Sequence, residues 1–278
     1  LVWSISMLAY TDTHAHLSSL TRPGPEAMLE ELFAPGGADG GIAFGAILDV
    51  GTEADDLADR MERFGAWPRV RFSAGIWPSA EAIARRDEQM ALLAAEVDAA
   101  DRRKLAAIGE CGLDRHWNRA DNGADLAGEG ELFDAQLRLA LRRGLPVIVH
   151  SREAAEETAR RIAAVPGTRG VIHCFSYTQA EAFRFLDLGL YLSFAGTITY
   201  KNSGDLRQAL QAVPAERLLL ETDAPYLAPV PFRGRPAGPG MIAHTYAAAA
   251  ELRGVSVADL AALVARNAAE LFGVPIRP

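Results

Sequence analysis

Residues 129–173 read EGELFDAQLRLALRRGLPVIVHSREAAEETARRIAAVPGTRGVIH. Glu129 to Arg143 places Leu, Phe and Ala at helical spacing among charged residues, and Pro146 to Val149 is then continuously apolar. Ala154 to Ala164 returns to the helical period before Gly170 to Ile172 turns apolar again. An apolar run without polar alternation belongs to a strand covered on both faces, and strands joined through helices pair in parallel.

The same alternation extends in both directions. Apolar runs rich in Val, Ile and Leu occupy Met7 to Tyr10, Ile42 to Val50, Val70 to Ala74 and Leu105 to Ile108 before this stretch, and Leu190 to Phe194 and Leu218 to Leu220 after it. Asp87 to Ala100 and Ala180 to Leu188 repeat the helical period. Eight strand–helix units in about 250 residues predict an α/β protein of a single domain, a closed (β/α)8 barrel of the TIM type, with an open doubly wound sheet as the alternative. Gly36 to Gly41 and Asp121 to Gly130 read as surface loops, and Pro225 to Pro239 as a Pro-rich loop before two closing helices. Leu1 to Ser6 has no basic start or cleavage site of a signal peptide, so residues 1–6 read as an upstream extension and 7–278 as the barrel.

Composition narrows the function. With 49% hydrophobic and 23% charged residues the 278-residue chain is globular in composition, and no apolar run approaches the roughly 20 residues of a membrane span. A net charge of −8 argues against a broad basic face for duplex nucleic acid, although a strand end needs only a local positive site, which divalent metals can provide. Cys111 and Cys174 lack CxxC spacing; they predict buried free thiols, no structural zinc and a reducing, cytoplasmic compartment.

Four of the six histidines sit where an apolar run ends: His14 and His16, His150, and His173. In a barrel the C-terminal ends of the strands meet on one face, so these imidazoles converge. His14 and His16, two apart on extended chain, point the same way and can hold one ion. Glu110, Glu221 and Asp223 occupy the same station. A carboxylate has two oxygens, so one Glu can bridge two cations about 3.5–4 Å apart. The constellation points to two divalent metal ions, with Zn, Mn, Mg, Fe and Ni all compatible. His116 and His244 lack this context and read as surface residues.

These residues fall in an ordered set of motifs that resembles the TatD family of metal-dependent deoxyribonucleases, within the amidohydrolase-like superfamily. Asp12-Thr13-His14-Ala15-His16, Gly109-Glu110-Cys111-Gly112-Leu113-Asp114 and Pro146 to Arg152 match its DxHxH, GExGLD and PVxxHxR patterns. His173-Cys174-Phe175, Glu221 to Pro225 and Asn267 to Phe272 match HCF, ETDxP and NxxxLF. The resemblance implies a first metal on His14, His16 and Asp223, a second on His150 and His173, and Glu110 bridging them. It also implies that Asp223 orients or deprotonates the attacking water. Two positions depart from the family: Trp77 replaces the His of GxHP, and Ala237 replaces the Asn of RGxxNxP.

The expected activity is that of a phosphodiesterase of the exonuclease-like deoxyribonuclease type, acting on DNA ends or short oligonucleotides without a membrane or an obligate protein partner. An amide, ester or aminoacyl-tRNA hydrolase is the alternative, and a non-catalytic metal-binding scaffold a more remote one. Glu221 is expected to support a ligand histidine, and Asp12 and Asp114 to play supporting or loop-ordering roles. Arg152, Arg233 and Arg235 are candidate phosphate contacts, and Trp77 either packs at the barrel mouth or stacks on a nucleobase.

Overall fold

The computed structural model describes residues 9–21, 24–34 and 43–274. The expected extension at residues 1–6 and the loop at Gly36 to Gly41 lie outside them. Strands β1 (Ala9–Ala15), β2 (Ala43–Asp49), β3 (Val70–Ala74), β4 (Leu105–Asp114), β5 (Val147–Arg152), β6 (Gly170–Ile172), β7 (Tyr191–Phe194) and β8 (Leu218–Leu220) pair in sequence order, every pair parallel. The ring closes through Ala15 and Ala224: His16 N–H donates to Ala224 O at 2.8 Å, and Asp223 N–H to His14 O at 2.9 Å.

Helices α1 (Pro25–Leu32), α2 (Leu57–Phe64), α3 (Ala80–Ala84), α4 (Arg86–Ala99), α5 (Leu126–Arg143), α6 (Ala155–Ala163), α7 (Gln179–Asp187), α8 (Gly204–Ala212), α9 (Ile242–Arg253) and α10 (Val257–Phe272) lie between and after the strands. Val147, Ile148 and Val149 are all fully buried although their side chains alternate, because one face fills the barrel and the other meets the helices. The chain is a single (β/α)8 barrel.

Three strands outrun their apolar sequences. β1 continues through Asp12 and His14, β4 through Glu110 to Asp114, and β5 through His150 to Arg152. A polar residue ends the hydrophobic signal, whereas ladder pairing continues into the barrel mouth. In β4 the register shifts between Ile108 and Cys111, placing Glu110 at an irregularity that re-aims its side chain. Gly112 makes the continuation feasible: its φ is 151°, and a Cβ there would lie 1.9 Å from the His150 carbonyl oxygen. α5 starts at Leu126, inside the expected Asp121–Gly130 loop, because the Asp125 side chain caps it by accepting from Gly128 N–H at 2.8 Å.

Candidate metal centre

At the C-terminal end of the strands, six side chains from five strands or the segments after them meet at the floor of a cavity of about 660 Å³, five of them lining it and His14 fully buried beside them. His14 and His16 present their Nε2 atoms 3.2 Å apart. Glu110 Oε2 lies 3.4 Å from the first and 3.5 Å from the second, and Asp223 Oδ1 lies 3.7 and 3.5 Å from them. The other oxygen of Glu110, Oε1, is 2.8 Å from His150 Nδ1 and 3.0 Å from His173 Nε2, which are themselves 3.3 Å apart. Glu110 therefore offers one oxygen to each of two adjoining groups.

Further contacts aim the rings. His16 Nδ1 is 3.1 Å from Val50 O, which directs its Nε2 inward. His150 Nε2 lies 2.9 Å from Asp114 Oδ2, which directs its Nδ1 at Glu110. His173 Nδ1 is 3.4 Å from Glu221 Oε1, and that oxygen also accepts from Cys174 N–H at 2.6 Å. Asp12 touches no imidazole: it accepts from the backbone of His14 and Thr222 at 3.2 and 3.0 Å and from the Thr222 hydroxyl at 2.6 Å. It stitches β1 to the segment after β8, and burial lifts its carboxyl to about 7 against the pull of the Thr222 bonds. Asp223 and Cys174 have φ values of 57° and 42°, the left-handed backbone that few non-glycine residues adopt.

Burial opposes charge throughout the cluster, and the neighbours decide which groups keep it. Glu110 would be neutralised by burial, but His173, His14 and His150 hold its carboxyl well below the usual range. Asp223 is likewise lowered, chiefly through the His16 hydrogen bond. Against burial, Asp223 and Glu110 raise His16 to about 9, and Glu110 and Glu221 raise His173 well above an ordinary imidazole. His14 is lowered by burial and by neighbouring His173. Paired acids thus retain protons on imidazoles whose lone pairs a cation would otherwise use.

The donor set fits divalent metal. Ligands 2.0–2.1 Å from a tetrahedral ion stand about 3.4 Å apart, close to the spacings around His14, His16, Glu110 and Asp223. Imidazole with carboxylate suits transition-metal cations, and each group holds at least one negative oxygen.

Among the other expected residues, Trp77 is half-buried on the cavity wall, its ring centroid 5.9 Å from that of His150. Arg152 lines the same cavity, exposed and without an ion pair among the described residues. Arg233 and Arg235 do not line it: the Pro-rich segment turns at Phe232 and Arg235, leaving the Arg233 guanidinium 4.5 Å above the Tyr200 ring. Cys111 is buried as expected, but Cys174 is not, since its left-handed backbone breaks the alternation and brings it to the cavity. Sequence reading missed Trp117 and Tyr226 on the cavity wall, and the fully buried Glu129 behind Asp114.

The profile of the family described as TatD related DNase matches residues 11–273. The chain belongs to this family. It is 34% identical over 265 residues to an uncharacterized metal-dependent hydrolase of Escherichia coli, covering 95% of each chain. It is 40% identical over 184 residues to a Pantoea ananatis protein named 3'-5' ssDNA/RNA exonuclease TatD, covering 63% of this chain and 68% of that one. The crystal structure of a TatD homologue from Escherichia coli superposes with a TM-score of 0.80 at 30% identity, over 97% of this chain and all of the other. The TatD-family chain is accordingly a metal-dependent hydrolase.

Proposed function

We propose that this protein is a two-metal phosphodiesterase that releases nucleotides from the ends of nucleic acid strands. The observation that carries the reading is Glu110, whose two oxygens face two separate sets of ligand atoms at the floor of one cavity. His14, His16 and Asp223 would hold one ion, His150 and His173 the other, and Glu110 both. When bound, such a pair supplies an activated water and neutralises charge on attacking and leaving oxygens. The Asp223 carboxylate, held ionised at neutral pH, would orient the attacking water and accept its proton. Asp114 and Glu221 hold the rings of His150 and His173 in orientation, and the exposed Arg152 guanidinium meets a non-bridging phosphate oxygen. Trp77 walls the reacting centre on the His150 side. A cytoplasmic setting is part of the proposal, in keeping with two free cysteines.

The test is cleavage of end-labelled oligonucleotide by protein stripped of metal and reloaded with Mn²⁺ or Mg²⁺, with Glu110→Ala and Asp223→Asn purified in parallel. Each variant is expected to lose on the order of a hundredfold or more in rate. An inactive wild type, or a variant that cleaves as fast as wild type, overturns the reading. Turnover of ester, lactone or aminoacyl substrates without phosphodiester cleavage would instead identify an acyl hydrolase.

A further inference from the structure

Two large aromatic side chains stand in solvent at the mouth of the cavity. Trp117 is 60% exposed and Tyr226 is 56% exposed, while Tyr10, Tyr191 and Tyr246 elsewhere in the barrel are buried. Both exposed rings belong to ordered backbone. Trp117 donates its N–H to Asp114 Oδ1 at 3.0 Å, and its carbonyl accepts from Asn122 Nδ2 at 2.7 Å. Asn118, the next residue, is pinned through its side chain to Pro78 O and Glu129 at 2.8 and 2.9 Å. Tyr226 N–H donates to Asp223 O at 2.8 Å, and its ring stands edge-on to His16 with centroids 5.9 Å apart.

The two rings follow strands on opposite sides of the barrel. Trp117 follows β4 and Tyr226 follows β8, and in a ring of eight strands taken in order these two are diametrically opposed. The same cavity is lined by Glu110 and its neighbouring histidines, by Arg152, by the hydroxyls of Ser79, Ser176 and Thr197, and by Glu53. Two exposed aromatic rings carried by opposed strands, with a cation and a phosphate-directed centre in the same cavity, suit a chain that carries planar heterocycles on both sides of a phosphate. Small acyl or alkyl esters have nothing for either ring to stack on. Bases in a duplex are already stacked and paired, so they cannot part to opposite walls.

We propose that Tyr226 and Trp117 are specificity-determining residues that stack the bases of the two nucleotides flanking the scissile phosphate, so that the enzyme selects unpaired strand. This rests on the phosphodiester reading above. Base stacking on an aromatic side chain is tolerant of sequence, so the selection is for single-strandedness.

Trp117→Ala, Tyr226→Ala and Trp117→Phe are compared on a short single strand, on the same strand made abasic at the two flanking nucleotides, and on a duplex. Wild type is expected to favour the intact strand over the abasic one in kcat/KM. Each alanine variant is expected to lose about 5- to 150-fold of that preference, with Trp117→Phe keeping most of it. Equal preference in wild type and both alanine variants, or no preference in wild type, overturns the proposal. Binding is read separately in metal-stripped protein, where no turnover occurs, as fluorescence quenching in wild type beyond what Trp117→Phe, which keeps Trp77 on the cavity wall, still shows. If wild type cuts no oligonucleotide, the phosphodiester reading fails by itself. Quenching by intact but not abasic strand that is lost in Trp117→Phe then retains the stacking walls, and its absence removes them.

Discussion

Asp114→Asn turns a contact of one ring nitrogen into a test of the whole centre. Asp114 Oδ2 lies 2.9 Å from His150 Nε2, so that nitrogen carries the proton and Nδ1, 2.8 Å from Glu110 Oε1, keeps a lone pair for metal. Asp114 Oδ1 is engaged separately, accepting from the N–H groups of His116 and Trp117 at 2.9 and 3.0 Å. An asparagine that preserves those two bonds must turn its NH₂ toward Nε2. That group only donates, so the proton moves to Nδ1 and the nitrogen facing Glu110 stops being a ligand. Changes to such supporting groups cost between about 10- and 100-fold in metal affinity, or about 1.4 to 2.7 kcal/mol. The loss should fall on one of two binding events in calorimetric titration of stripped protein with Mn²⁺, the event that needs His150. Asp114→Ala removes the acceptor without adding a donor, so it should weaken metal less than Asn does, although it unfolds more easily through the lost backbone bonds. Two unaltered binding events in Asp114→Asn, or a larger metal defect in Ala than in Asn, would refute the tautomer argument.

Two further outcomes follow from the same geometry. Asp223 and Glu110 raise His16 to about 9 and Glu110 raises His173 well above its ordinary value, so at neutral pH the metal-free rings hold protons that a cation must displace. Metal affinity should therefore strengthen as pH climbs toward about 9, by about tenfold per pH unit for each proton released, and a flat profile in titrations across that range would contradict it. Glu129, fully buried on α5, accepts from Asp114 N–H and Asn118 Nδ2 at 2.8 and 2.9 Å and pairs with Arg115. Glu129→Ala strands these donors and should cost about 3 kcal/mol in denaturant unfolding; an unchanged midpoint would show that the network relaxes around the loss.

The barrel and the gathering of His and carboxylate side chains at its mouth were legible because both depend on patterns along the chain. Val147 to Val149 are apolar on two faces, and His150 stands where that burial stops, so strand and site announce each other. The same logic hid the true strand ends, since Glu110 and Asp114 are polar residues within a ladder. Trp117 and Tyr226 left no signal: an aromatic residue in a loop reads alike whether the loop folds over the mouth or away from it. Glu129 looked like any charged residue of an amphipathic helix, because its fully buried position depends on Asp114 and Arg115 arriving from a different segment. The placement of Arg233 and Arg235 was hidden for the reverse reason: their loop follows β8, but its turns set them outside the lining of the cavity.

Thr222 reaches back over 210 positions to Asp12, and the bridge between Ala15 and Ala224 shuts the ring beside it. A ribosome making this chain delivers Glu110, His150 and His173 well before Asp223, so one half of the centre can form on a nascent polypeptide while the other waits. Until β8 emerges, β1 and β7 are raw edges open to strangers, and the last strand both seals the sheet and brings Asp223 to the cluster. A nascent chain released before β8 would thus lack Asp223 and keep its sheet open, so the same stretch that ends the aggregation hazard also supplies the last carboxylate of the cluster.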